Sequence, residues 1–173
     1  DPGVLKADKP LVEADADAEA LFWEVRVDDS SADGFTMKHY VRVKIFTERG
    51  REKYSKFDIP FFRGLKIKDL AARVIKADGT TVEIGKADIF EREIVRASGL
   101  KIKAKSFAVP NIEPGVIVEY RYKESYADGG ARGLKLELQK DIPVQSLSYY
   151  YKPFTGEPIY KIFNIRDAKF IKD

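Results

Sequence analysis

Apolar and polar side chains alternate with a period of two through most of this chain, in short runs cut apart by turn residues. A strand puts successive side chains on opposite faces, so each such run reads as a half-buried strand. Leu21, Trp23, Val25 and Val27 alternate with Phe22, Glu24, Arg26 and Asp28. Asp33-Gly34, a pair that tolerates positive φ, then turns the chain into a hairpin. The return strand, 36–47, carries Met37, His39, Val41, Val43 and Ile45 on one face and Lys38, Tyr40, Arg42 and Lys44 on the other, and Arg49-Gly50 ends it.

The same grammar repeats over 54–59 (closed by Pro60), 67–76, 81–84, 89–96, 101–109, 116–124, 134–139, 146–151 and 159–165. Ala77-Asp78-Gly79-Thr80, Ser98-Gly99, Pro110-Asn111, Pro114-Gly115, Asp128-Gly129-Gly130 and Thr155-Gly156 supply the turns. About eleven short, evenly spaced strands with no sustained helical period predict an all-β fold, a two-layer, mainly antiparallel β-sandwich. Its core should draw on Trp23, Val25, Val41, Val43, Val118, Tyr120, Leu136 and Leu138. Residues 1–19 are polar and Asp/Ala-rich, an arm with one helical turn near 15–20, and 20–173 form a single domain. Residues 127–132 read as a long hairpin tip.

Composition narrows the chemistry. The 173 residues are 44% apolar and 12% aromatic, enough for one core without a metal or disulfide staple. A net charge of +3 is too small to imply a nucleic-acid or membrane-surface partner. Cysteine is absent, which removes thiol nucleophiles, disulfides and thiolate metal sites together. No run approaches the roughly 20 apolar residues of a membrane helix, so no membrane insertion is expected. Asp1-Pro2-Gly3 lacks an apolar signal core, which suggests a processed or trimmed chain with any targeting segment upstream.

Few residues offer catalysis. His39, the single histidine, shares a face with Met37 and Val41 and reads as a core or core-edge residue, with no local nucleophile beside it. Asp29-Ser30-Ser31-Ala32-Asp33-Gly34 starts like a calcium loop, but Tyr40 stands where the bidentate Glu belongs, so an Asp-rich hairpin turn is the better reading. Asp15, Asp17 and Glu19 form an acidic arm that solvation explains. No glycine-rich phosphate loop occurs, and nothing singles out a carboxylate pair for glycoside hydrolysis. No catalytic, metal or cofactor residue is therefore assigned.

Two clusters stand out. Lys101, Lys103 and Lys105 share a strand face, which suits a solvated face or an edge strand that discourages sheet-to-sheet pairing. Tyr149, Tyr150 and Tyr151, with Phe154 and Tyr160 nearby, place Tyr149 and Tyr151 on one face and Tyr150 on the other. Ile142-Pro143 breaks regular pairing just before them, so their strand should enter at a sheet edge or cross between sheets. These tyrosines are the candidate binding or interdomain-contact residues. Core packing, a sugar platform and a contact with another domain all fit them.

The order of landmarks resembles the bacterial domain of unknown function that precedes transglutaminase-like cores in exported proteins. Its pieces are the opening Asp-Ala-Asp-Ala with Leu21, Asp33-Gly34, and Val43-Lys44-Ile45-Phe46-Thr47-Glu48-Arg49-Gly50-Arg51-Glu52. Ile59-Pro60-Phe61, Ala72-Arg73-Val74-Ile75-Lys76-Ala77-Asp78-Gly79-Thr80 and Phe107-Ala108-Val109-Pro110-Asn111-Ile112 follow. Pro114-Gly115-Val116-Ile117-Val118-Glu119-Tyr120-Arg121-Tyr122 and Leu138-Gln139-Lys140-Asp141-Ile142-Pro143-Val144 complete the set, over roughly 15–165. The resemblance implies a non-catalytic all-β accessory domain in a periplasmic, cell-surface or secreted protein. It also implies a downstream transglutaminase-like or peptidase-like partner domain carrying the Cys-His-Asp chemistry. A carbohydrate- or peptidoglycan-binding module, with a glycan or peptide as ligand, is the alternative, and a stand-alone glycan-active enzyme is a third reading.

Overall fold

The computed structural model describes residues 2–62, 64–97, 100–127 and 130–163, together with 169 and 171. A short helix α1 (Pro2–Lys6) leads into β1 (Ala18–Ser31) and β2 (Gly34–Ile45), and helix α2 (Glu48–Lys53) comes next. Then come β3 (Lys56–Phe61), β4 (Leu65–Ile75), β5 (Thr81–Ile84), β6 (Ile89–Ala97), β7 (Leu100–Ala108), β8 (Ile117–Tyr126) and β9 (Leu147–Lys152). They form a six-stranded sheet, β5-β4-β8-β2-β1-β9, and a three-stranded sheet, β3-β7-β6. All pairings are antiparallel except β1 with β9. The all-β, two-sheet architecture is the one the alternation predicts.

The described strands number nine, not eleven. Residues 134–139 form no ladder, although Leu134 and Leu136 pack half-buried on the large sheet. Alternation reports one buried face, and an extended segment laid across a sheet produces it as readily as a paired strand. Residues 159–163 form no strand, and their apolar side chains stand exposed; 164 and 165 lie outside the described residues, as do Ser98-Gly99 and Asp128-Gly129 of the expected turns. No helical turn forms at 15–20, because β1 already begins at Ala18, with Ala18 and Ala20 buried. Pro60 does not close β3 but lies inside it, on an edge strand, where a missing donor is tolerated.

Val41, Val43, Val74 and Val118 of the large sheet pack with Ile59 and Phe107 of the small one. A second cluster joins Val25, Val27, Phe35 and Met37 to Ala131, covered by the segment between β8 and β9. Of the expected core, Val25, Val41, Val43, Val118 and Tyr120 are buried, while Trp23 is half-buried between the two clusters. Leu136 is only half-buried and Leu138 is exposed, because their segment lies over the sheet instead of within one.

The arm is pinned by two buried charges that face each other in the ladder, Glu19 opposite Lys44. The Lys44 ammonium donates to the carbonyls of Val4 (3.1 Å) and Leu5 (2.6 Å) at the end of α1, groups that a helix leaves unpaired. The Glu19 carboxylate accepts the backbone N–H groups of Leu11 and Val12. Close approach also fixes α2. A β-carbon on Gly50 would lie 2.3 Å from the Asp17 carbonyl oxygen. Helix propensity alone favours Ala over Gly by about 1 kcal/mol, but a backbone clash of this kind costs more. Gly50→Ala is therefore expected to destabilise the fold by about 1–3 kcal/mol, read as a lower urea midpoint; an equal or higher midpoint would contradict the close packing of α2 on the arm.

Candidate functional site

Strand β9 is the edge of the large sheet and runs parallel to β1. Its register places Tyr149 opposite Val25 and Tyr151 opposite Val27, on the inner face, and Tyr150 opposite Arg26, on the outer one. The two inner tyrosines tie down the covering segment. The Tyr149 hydroxyl donates to the Glu137 carbonyl at 2.8 Å and lies 3.2 Å from the Lys140 ammonium. The Tyr151 hydroxyl donates to Asp29 at 2.9 Å, and the other oxygen of Asp29 accepts the Ala131 N–H, also at 2.9 Å. Tyr150 alone faces solvent, 44% exposed, with the Arg26 guanidinium 4.3 Å above its ring. The three candidates thus divide into two structural residues and one surface residue.

The other sequence candidates find structural partners. Asp29 closes the covering segment, and Asp17 accepts hydrogen bonds from Thr47 (2.7 Å) and Arg49 (2.6 Å). Lys101, Lys103 and Lys105 do not lie on an edge, because β7 is the middle strand of the small sheet. They pair with acids of β6: Lys103 and Lys105 with Glu91, and Lys101 with Glu93. Among the described residues no group of three or more His, Asp or Glu is placed to hold a metal ion.

A polar cluster that sequence reasoning missed lies where the two covers of the large sheet meet. The His39 ring stacks on Tyr122, centroids 4.4 Å apart. Its Nε2 lies 3.5 Å from the Glu124 carboxylate, and neither ring nitrogen has a hydrogen-bond partner. Lys140, from the covering segment, sits 4.7 Å above the Trp23 ring. Burial, reinforced by the Lys140 charge, lowers the His39 pKa to about 4, so the ring is neutral at pH 7 and forms no ion pair. Burial raises the Glu124 carboxyl, against the Tyr126 hydrogen bond and the Lys140 charge. Glu124 could have been found: it falls on the same parity of β8 as Val118, Tyr120 and Tyr122. Lys140 carried no signal, since its contact depends on how the covering segment crosses the sheet.

The outer face carries a second network. Glu119, nearly buried, accepts hydrogen bonds from both Arg42 and Arg73. Burial works to raise its carboxyl, but the hydrogen bonds from Arg42 and Tyr40 and the two guanidinium charges hold it below the usual range. Among the described residues, neither network pairs a base with a free nucleophile.

Residues 32–152 match a family described as a domain of unknown function with solved structures, DUF3857. The chain belongs to the DUF3857 family. A search of curated proteins finds no match. A crystal structure from Parabacteroides distasonis, described as a candidate protease, is similar in fold, with a TM-score of 0.62 at 18% identity. The match covers 78% of this chain and 29% of that one, so the chain corresponds to under a third of its structural neighbour.

The buried histidine has a consequence for stability. Unfolding frees His39 to take a proton near its ordinary value of 6.5, whereas in the fold it does so only near 4. The unfolded state therefore binds more protons between these values, and stability falls as pH drops through that window. The contribution is about 2 kcal/mol between pH 7 and pH 5. Glu124, raised by burial, acts oppositely, losing stability as pH rises above 4.5. His39→Phe keeps the stack on Tyr122 and removes both unpaired nitrogens. Urea unfolding should show a smaller loss from pH 7 to pH 5 in this variant than in the parent; identical losses would contradict the assignment.

Proposed function

We propose that this domain is a non-catalytic accessory module that precedes a transglutaminase-like or peptidase-like catalytic domain in an exported protein, packing against that domain or presenting substrate to it. The observation that carries this reading is the free edge of β9 together with the exposed apolar residues beyond it. One side of β9 pairs with β1; the other has no strand among the described residues. The chain then runs through 153–163 without regular structure, exposing Phe154, Ile159, Ile162 and Phe163. Exposed apolar side chains in this density are the mark of a surface that a partner covers. A free strand edge adds main-chain donors and acceptors to the same surface.

Membership of a family of unknown function and the small share of the neighbour's length that the chain matches both fit one module of a larger protein. The neighbour's description as a candidate protease fits a peptidase-like partner. The absence of cysteine agrees with a division in which catalysis resides elsewhere. A sugar platform on Tyr150 is less favoured, because the Arg26 guanidinium occupies one face of the ring.

The test is to express this chain and the adjoining catalytic domain of the same polypeptide separately and measure their association. Binding is expected, weakened about ten-fold or more by Phe154→Ser with Phe163→Ser, a loss on the order of 1–2 kcal/mol for truncated interface anchors. The isolated chain should show no peptide or glycan turnover. Absence of binding, or turnover by the chain alone, would overturn the reading.

A further inference from the structure

The outer face of the large sheet carries a row of like charges that the fold itself does not require. Arg26 of β1 stands directly opposite Lys38 of β2, Lys38 opposite Lys123 of β8, and Lys123 opposite Lys68 of β4. Four cations in cross-strand register on four adjacent strands span about 14 Å at the usual strand spacing. Like charges directly opposite each other destabilise a sheet, and on an exposed face an acid at any of these positions would relieve the repulsion. Three carboxylates lie beside the row: Asp69, 2.9 Å from Lys123, Glu24, 2.7 Å from Arg26, and Asp28, whose charge acts on Lys152 and Lys38. With Lys152 counted beside Asp28, the cations outnumber the carboxylates by two. A groove of about 590 Å³ lies over this face; Arg26, Lys38, Arg73, Arg121 and Lys123 line it together with Glu24, Asp69, Glu83 and Glu119, and Lys68 stands beside it.

We propose that this face binds an acidic polysaccharide lying across the strands, its carboxylates on the Arg26–Lys38–Lys123–Lys68 row, three of whose members line the groove. Charge complementarity favours an anionic occupant on the row, where cations outnumber the carboxylates beside them. The orientation selects the class. The row crosses the interior strands β2 and β8, whose main-chain groups are committed to ladders on both sides. A peptide lying there gains no backbone hydrogen bonds, the source of affinity when a peptide joins a sheet edge. A glycan needs none. Flanking the row in register are the hydroxyls of Thr36 and Ser125, groups suited to sugar hydroxyls. A single-stranded nucleic acid would want free aromatic faces, but Tyr40 is packed edge-to-face on Phe22 at 4.9 Å.

The test is calorimetric titration of the 173-residue chain with polygalacturonate, alongside dextran, poly-glutamate and a single-stranded oligonucleotide. Binding to polygalacturonate at low ionic strength, weakening as salt rises, is expected, with none to dextran. Lys38→Gln, Lys68→Gln and Lys123→Gln should each weaken it about two- to five-fold, as for an exposed charge contact, and the triple variant should abolish it. Because the cations on either side of Lys38 are offset by the charges of Asp28 and Asp69, Lys38→Gln should unfold at about the same temperature as the parent. That readout separates lost binding from lost folding. No binding to polygalacturonate, equal binding by a folded triple variant, or tighter binding to poly-glutamate or the oligonucleotide would overturn the proposal. None of these outcomes depends on the β9 edge.

Discussion

A six-stranded sheet has a longer apolar face than three strands can cover, and the arrangement of this domain stems from that mismatch. The small sheet covers the half built on β2, β4 and β8, where Val43, Val74 and Val118 meet Ile59 and Phe107. Val25, Val27, Phe35 and Met37 would otherwise face water, at a cost of about 1.5–3 kcal/mol for each large side chain. The connection from β8 to β9 crosses over them as an extended strap, held by Asp29 at one end and by Tyr149 and Lys140 further along. An irregular segment has no ladder to satisfy its main chain, so its attachments come from side chains, and those attachments are polar groups in or near the core.

Where the two covers meet, polar groups are buried without full pairing. His39 has no hydrogen bond on either nitrogen, and the Trp23 indole N–H is likewise unpaired. Such groups lower stability unless something compensates. Here the stacked Tyr122 ring and the Lys140 ammonium over Trp23 compensate in part. The strap also determines where the chain goes next. By crossing β2 and β1 it delivers β9 parallel to β1, leaving β9 as the outermost strand and the residues after it at the surface.

Most of the scaffold was legible because its signals are local. The β1–β2 hairpin could be read from Asp33-Gly34: Gly34 has φ of +133°, and a β-carbon there would meet the Tyr126 carbonyl oxygen at 2.1 Å. The split of the tyrosines into Tyr149 and Tyr151 against Tyr150 came from period two alone. The features that could not be read depend on which surfaces meet. Leu134 and Leu136 alternate like a strand because one face is buried, yet whether that face belongs to a ladder or to a strap is decided by the sheet beneath. Lys101, Lys103 and Lys105 resemble an edge, but they lie in the middle of a sheet and pair with Glu91 and Glu93 of β6. The cation row was invisible for the same reason: its members lie at 26, 38, 68 and 123, and only the register brings them together.

The proposed function resides on surfaces: the β9 edge, with the apolar residues just after it, is the contact proposed for a neighbouring domain. Hydrogen exchange reads that edge directly, comparing this chain alone with the same residues inside the longer polypeptide. The account predicts that amides of β9 not bonded to β1, and those of 153–163, exchange rapidly in the isolated chain and are protected in the longer protein. Equal exchange in both, with these residues open to solvent beside an intact catalytic domain, would contradict it.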